Sequence, residues 1–190
     1  MGERLCVYRD DREWTAIAQR LKHMPCPHCK VVGALIRHGC FSGSDERNPR
    51  RKILRARRAF CSNRQARPGC GRTFSVWLAN NLRRLSVSAD TLWHFLQVAV
   101  AASVLAASHA VGCQRSVRTW QRIWQRFDRA QSKIRTALCG RSPPPETPPR
   151  PETKPARQTA AHVLAHLQAA FPDAQCPIAE FQHTMQTFFV

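Results

Sequence analysis

Four cysteines have the type and spacing that suit metal chemistry. Cys26 and Cys29 lie in PCPHCK, and Cys61 and Cys70 lie in FCSNRQARPGCGRTF. A zinc ion takes four thiolate or imidazole ligands at the corners of a tetrahedron. The C-x-x-C spacing lets both sulfurs of the first pair face one ion from a tight turn, which Pro25 and Pro27 stiffen. Cys61 and Cys70 are the natural second pair. Gly71 lets the backbone after Cys70 turn its amides toward a thiolate. Because SNRQARPG separates the second pair, His28, His38 and Cys40 stay open as substitutes for Cys61. A catalytic zinc needs an open position and a nearby acid–base group, and the sequence places none beside these residues. The expectation is one structural Zn2+ per chain, held by Cys26, Cys29, Cys61 and Cys70. Cys6, Cys113, Cys139 and Cys176 read as ordinary small apolar residues.

A second pattern concerns charge on a helix. In RSVRTWQRIWQRFDRAQSKIRTAL, residues 115–138, Ser116 can cap the start. At 3.6 residues per turn, Val117, Trp120, Ile123, Trp124, Phe127, Ile134 and Leu138 share one face. Arg115, Arg118, Arg122, Arg126, Arg129 and Lys133 share nearly the opposite one. Such a stripe is the footprint of a helix lying against nucleic acid, and these six are the candidate DNA-binding residues. The bland reading is the solvated face of an amphipathic core helix, but Asp128 is the only acid in the segment.

Both patterns depend on elements that hold them in place. Residues 1–24 read as a strand, LCVYR, and a helix capped by Asp10 or Asp11 with Trp14, Ile17 and Leu21 on one face. Residues 25–80 are rich in Gly, Arg and Cys. Their extended runs are 31–39, 51–61 and 73–78, with 40–50 as a polar loop. Residues 86–140 read as helical, interrupted near Gly112. Residues 141–157 hold seven prolines and form a stiff linker. Residues 158–190 read as two short helices around FPDAQCP, separable from the rest and with enough apolar surface to dock on the body or a partner.

Composition narrows the function. The 190 residues hold 30 Lys+Arg against 12 Asp+Glu, a net charge of +18 that favours a polyanionic partner. The excess lies in the first 140 residues, because 141–190 hold 4 basic and 4 acidic groups. The apolar run 92–111 is broken by His94, Gln97, Ser103, Ser108 and His109, so no membrane span is expected. MGERLCVYRDDREW lacks an apolar signal core, and cysteine pairs in such a chain indicate a reducing compartment. No P-loop, GxSxG or HExxH is present. His162 with His166, and Glu180 with His183, have ligand-like spacing but read as plain helix faces.

CPHC, a strand ending in Phe60-Cys61, and CGRTFS together resemble the zinc ribbon of bacterial insertion-sequence transposases and their accessory proteins. The resemblance covers about residues 25–78, and the family's usual second C-x-x-C is here C-x8-C. Ser116, Arg118, Thr119 and Trp124 resemble the phrase that opens the recognition helix of the helix-turn-helix following that ribbon. The resemblance implies a DNA partner, a bacterial cytoplasmic and nucleoid-associated location, and a transposase or a second copy of the chain, through the C-terminal tail, as further partners. The family's catalytic RNase-H-like unit, with its metal-binding carboxylates, has no counterpart among this chain's acids, so no enzyme is expected.

The fold expected is α+β: a small four-cysteine zinc ribbon of short antiparallel strands, an all-α helix-turn-helix unit and a short C-terminal helical tail. The expected function is non-catalytic, zinc-dependent DNA binding. A transcriptional regulator with the same modules and a protein-interaction adaptor are the alternatives. An RNA-binding ribbon is disfavoured because few aromatics read as exposed for base stacking.

Overall fold

A computed structural model describes residues 5–113, 115–146 and 155–190. Glu3, Glu152, Gln114 of the turn after Gly112, and 147–154 of the proline-rich segment lie outside the described residues. The chain is α+β, with a four-stranded mixed sheet and six α-helices among the described residues. The strands are β1 (Val7–Tyr8), β2 (Leu35–Ser44), β3 (Lys52–Cys61) and β4 (Thr73–Leu78), in the order β1-β4-β3-β2. The β2–β3 and β3–β4 pairs are antiparallel, whereas β1 runs parallel to β4.

Two features differ from the expectation. The strand β2 continues through Ser44, so the polar stretch from Cys40 is strand as far as 44 and loop only beyond it. Register shifts between Arg37 and Cys40 and between Phe41 and Ser42 let this exposed edge carry Gly39 and Gly43 within a ladder. The first 24 residues are not a separate segment either. β1 joins the sheet beside β4, and helix α1 (Asp11–Arg20), capped by the Asp10 side chain, covers one sheet face. Trp14, Ile17 and Leu21 meet Tyr8, Leu35, Ala59 and Val76 there in a small core.

The helical layer comprises α2 (Ala89–Ala101), α3 (Val104–Ala110), α4 (Val117–Cys139), α5 (Pro155–Ala170) and α6 (Pro177–Met185). Ser88, Ser103 and Ser116 cap the first three through their side-chain oxygens. Gly112, at φ +61, takes the left-handed turn between α3 and α4. The C-terminal helices pack on the body. Leu167, Phe171, Phe181 and Phe189 share one apolar core with Phe95, Trp120 and Phe127, and Phe95 stacks on Trp120 at 4.4 Å. Residues beyond 157 thus dock on the body, one of the two destinations expected of their apolar surface, and share its main core.

Polar clamps join the two layers. Glu46, just past β2, accepts from the Ser88 amide at 2.6 Å and from the Ser88 and Thr91 hydroxyls at 2.9 and 2.8 Å, at the start of α2. Arg55 of β3 is buried and donates to Asn81 Oδ1 at 2.8 Å and to the Ser44 carbonyl at 2.7 Å. Near the C-terminus, Gln182 donates to the Ala79 carbonyl at 2.7 Å. Gln186 accepts from the Cys6 and Val7 amides through Oε1 and donates to the Val7 carbonyl through Nε2.

Candidate metal centre and nucleic-acid face

Cys26, Cys29, Cys61 and Cys70 converge, with all four Sγ atoms within 4.8 Å of one another. Cys26 and Cys70 are 3.9 Å apart, and Cys29 and Cys61 are 3.7 Å apart. A tetrahedral zinc with Zn–S near 2.3 Å separates its sulfurs by about 3.8 Å, so the set fits one such ion. The substitutes for Cys61 lie elsewhere. Cys40 is exposed on β2, the His38 ring packs on Phe60 at 5.3 Å, and His28 contributes only its amide, 3.4 Å from Cys26 Sγ.

The backbone explains how a second pair with eight intervening residues can match the first. The Cys26 amide donates to the Val31 carbonyl, and the Lys30 amide donates to the Cys26 carbonyl, both at 2.9 Å. In the second knuckle the Cys61 amide donates to the Arg72 carbonyl, and the Gly71 amide to the Cys61 carbonyl, again at 2.9 Å. Position by position these are the same bonds, with Lys30 and Gly71 both left-handed at φ 65 and 69. The inserted residues leave and return at one point, closed by the Gly69 amide on the Ser62 carbonyl. A Cβ on Gly69 would lie 2.1 Å from that carbonyl oxygen, so only glycine closes the excursion.

The environment favours thiolate at Cys29 and resists it at Cys61. A hydrogen bond from the Val31 amide draws the Cys29 thiol down to about 7, while burial pushes Cys61 up to about 12. Four thiolates this close would need a cation to hold them deprotonated, and a divalent ion would supply it while cross-linking the two knuckles. These cysteines are the only group of three or more His, Cys, Asp or Glu side chains among the described residues that could hold a metal. The other spaced pairs have structural partners. His166 is buried against the Ser142 carbonyl at 2.9 Å, and His183 meets Glu13 at 2.9 Å, while Glu180 pairs with Arg9 at 2.8 Å.

On α4 the apolar seam faces inward as its spacing requires. Trp120, Ile123, Phe127, Ile134 and Leu138 are buried, whereas Val117 and Trp124 are half-buried. Arg118, Arg122, Arg126, Arg129 and Lys133 are exposed, on the opposite side. They fall within an arc of about 80° and span about 22 Å of helix. Among the described residues none of the five makes an ion pair, in contrast to Arg9 with Glu180 and Arg57 with Asp11. Arg115 departs from the stripe. It precedes the helix, is half-buried with its Nε unpartnered, and its charge bears on buried Arg55.

Glu46, Arg55, Gln182 and Gln186 had no signal in the sequence, because the partners by which they join distant elements, Ser88, Asn81, Ala79 and Cys6, lie 26 to 180 residues away. No helix among the described residues is long and apolar enough to cross a membrane. No protein-family model, curated protein or solved structure matches the chain.

Proposed function

We propose that this chain is a zinc-dependent, non-catalytic DNA-binding protein, built as a four-cysteine ribbon and a helix-turn-helix and resembling the DNA-recognition part of a transposase. The observation that carries this reading is the row of five exposed, unpaired cations on α4, opposite a face fixed in the core. A solvated helix face ordinarily mixes both signs, and this row does not. α3, the turn at Gly112 and capped α4 have the order of a helix-turn-helix, in which the start of the second helix approaches base edges in the major groove. Arg118 and Arg122 occupy that start, and Arg126, Arg129 and Lys133 follow where phosphates run. Zinc holds the two knuckles together and so fixes the ribbon, which Glu46 and Arg55 lock to the helical layer. The carboxylates offer no cluster for a divalent catalytic ion among the described residues.

The test is selection of bound sequences from a random duplex pool, with zinc-stripped protein as control. Enrichment of one motif by the zinc form, and a cost of about 1–3 kcal/mol with relaxed preference at one position for Arg118→Ala, is the expected result. Equal duplex binding by parent and Arg118→Ala, with no enriched motif, refutes sequence-specific recognition by α4.

A further inference from the structure

The sheet face turned away from α1 sets aromatic rings among arginines. By register, Phe41, Ala56 and Trp77 lie side by side across β2, β3 and β4. Phe41 is 48% exposed, and its ring lies 5.6 Å from that of Trp77, which meets Phe188 edge-on at 6.2 Å. Arg58, two residues along β3 from Ala56, points to the same side. With Trp77, Arg83 and Phe188 it lines a groove of about 550 Å³. The Arg83 guanidinium sits 5.2 Å over the Phe188 ring. A second groove shares Arg83 and Phe188 and continues to Arg84 and Lys133. Lys133 is the last cation of the α4 row, so the sheet face and the helix face join. No Asp or Glu side chain lines either groove.

We propose that these two grooves, with the exposed Phe41 ring beside Trp77 at their edge, bind a single-stranded polynucleotide, with bases stacked on Phe41 and Trp77 and phosphates met by Arg58, Arg83, Arg84 and Lys133. The combination of ring faces and cations decides the ligand. Unpaired nucleotides present a π-face and a charge at every step, and stacking on aromatic side chains is tolerant of sequence. A duplex offers the phosphates but hides the base faces, and an acidic peptide would leave Phe41 without a role. This site is independent of duplex recognition by the start of α4 and meets it only at Lys133.

The experiment uses the full zinc-loaded chain with oligothymidylate and oligouridylate, each about 16 nucleotides long, beside a duplex of the same length. Phe41→Ala should weaken single-strand binding roughly five- to 150-fold, the equivalent of one lost stacking contact. It should leave zinc content, thermal midpoint and duplex binding unchanged, because Phe41 is exposed. Phe41→Trp should retain binding, and Arg58→Ala should reduce its salt dependence. Phe41-dependent binding of either strand supports the proposal, and the tighter of the two identifies DNA or RNA as the source. Failure of the parent to bind both strands overturns it, as does unchanged binding by Phe41→Ala and Arg58→Ala, or equal displacement by polyglutamate. Arg118→Ala should lower duplex binding alone. Duplex binding that Arg118→Ala leaves unchanged, or that the parent lacks altogether, with the Phe41 effect intact would refute the α4 reading and leave this one standing.

Discussion

The two layers are stabilised by different means. The sheet layer buries ten apolar residues in its core, and two of these, Cys26 and Cys61, belong to the cysteine cluster that could hold a metal. The helical layer buries 24 in one cluster that runs from Leu82 to Phe189. A cluster as small as the first leaves its fold dependent on a cross-link, whereas the second is large enough to hold by apolar burial. Charge follows the same division. Arg55 and Arg57 of the sheet have protein partners, while the five exposed cations along α4 form no ion pair among the described residues.

Metal removal is the strongest way to break this comparison. Structural zinc in small sites contributes about 10–16 kcal/mol in apparent binding energy near neutral pH. Chelation should therefore abolish amide-exchange protection across 35–78 and leave α4 protected. Zinc occupancy should fall as pH drops, since each thiolate must be kept free of its proton. Sheet amides that stay protected after chelation would show that the small core suffices alone.

The helical layer should respond to cavities instead. Phe127→Ala and Phe189→Ala each remove a ring from a stacked pair at 5.8 Å and should cost about 3–5 kcal/mol, read as a lower thermal midpoint with zinc retained. If Phe189→Ala melts like the parent, the C-terminal helices are not integral to that core.

A smaller effect sharpens the account of the metal site. Gly69→Ala should weaken zinc affinity about 10–100-fold, as loss of the groups that orient a ligand typically does. Ala at this position would push the Ser62 carbonyl and displace Cys61, though no ligand is changed. The smallest effect belongs to the exposed cations. Arg129→Ala should leave stability unchanged and lower the slope of log affinity against log salt by about one, equally for all duplex sequences.

Local features were legible in the sequence and long-range ones were not. The cysteine set, the caps at Asp10 and Ser116 and the inward seam of α4 are written in spacings of a few residues, and spacing is what sequence reading resolves. The partner of Cys70 became clear only from the matched knuckle bonds, since eight residues of insertion conceal that Cys61 and Cys70 are equivalent to Cys26 and Cys29. The parallel placement of β1 depends on pairing with residues 77 and 78, far along the chain. The apolar surface of the C-terminal helices was enough to expect docking, yet a proline-rich stretch says nothing about whether the helices after it bury that face on the body or on a partner. Phe41, Trp77 and Phe188 likewise lie in three unrelated stretches of the sequence, and only the sheet register and the returning C-terminal segment make them neighbours.

The Gln186 side chain has a consequence for biosynthesis. Its amide takes the place of a neighbouring strand along the outer edge of β1, with bonds to Cys6 and Val7 at 2.8 and 3.0 Å. At about 5–20 residues per second, roughly ten to forty seconds of translation separate these bonding partners. Through that interval the β1 edge presents unpaired backbone groups, the surface on which nascent sheets associate wrongly. A chain stopped short of residue 186 would hold the sheet with the outer edge of β1 uncovered, so the residue that ends α6 completes an edge begun 180 residues earlier.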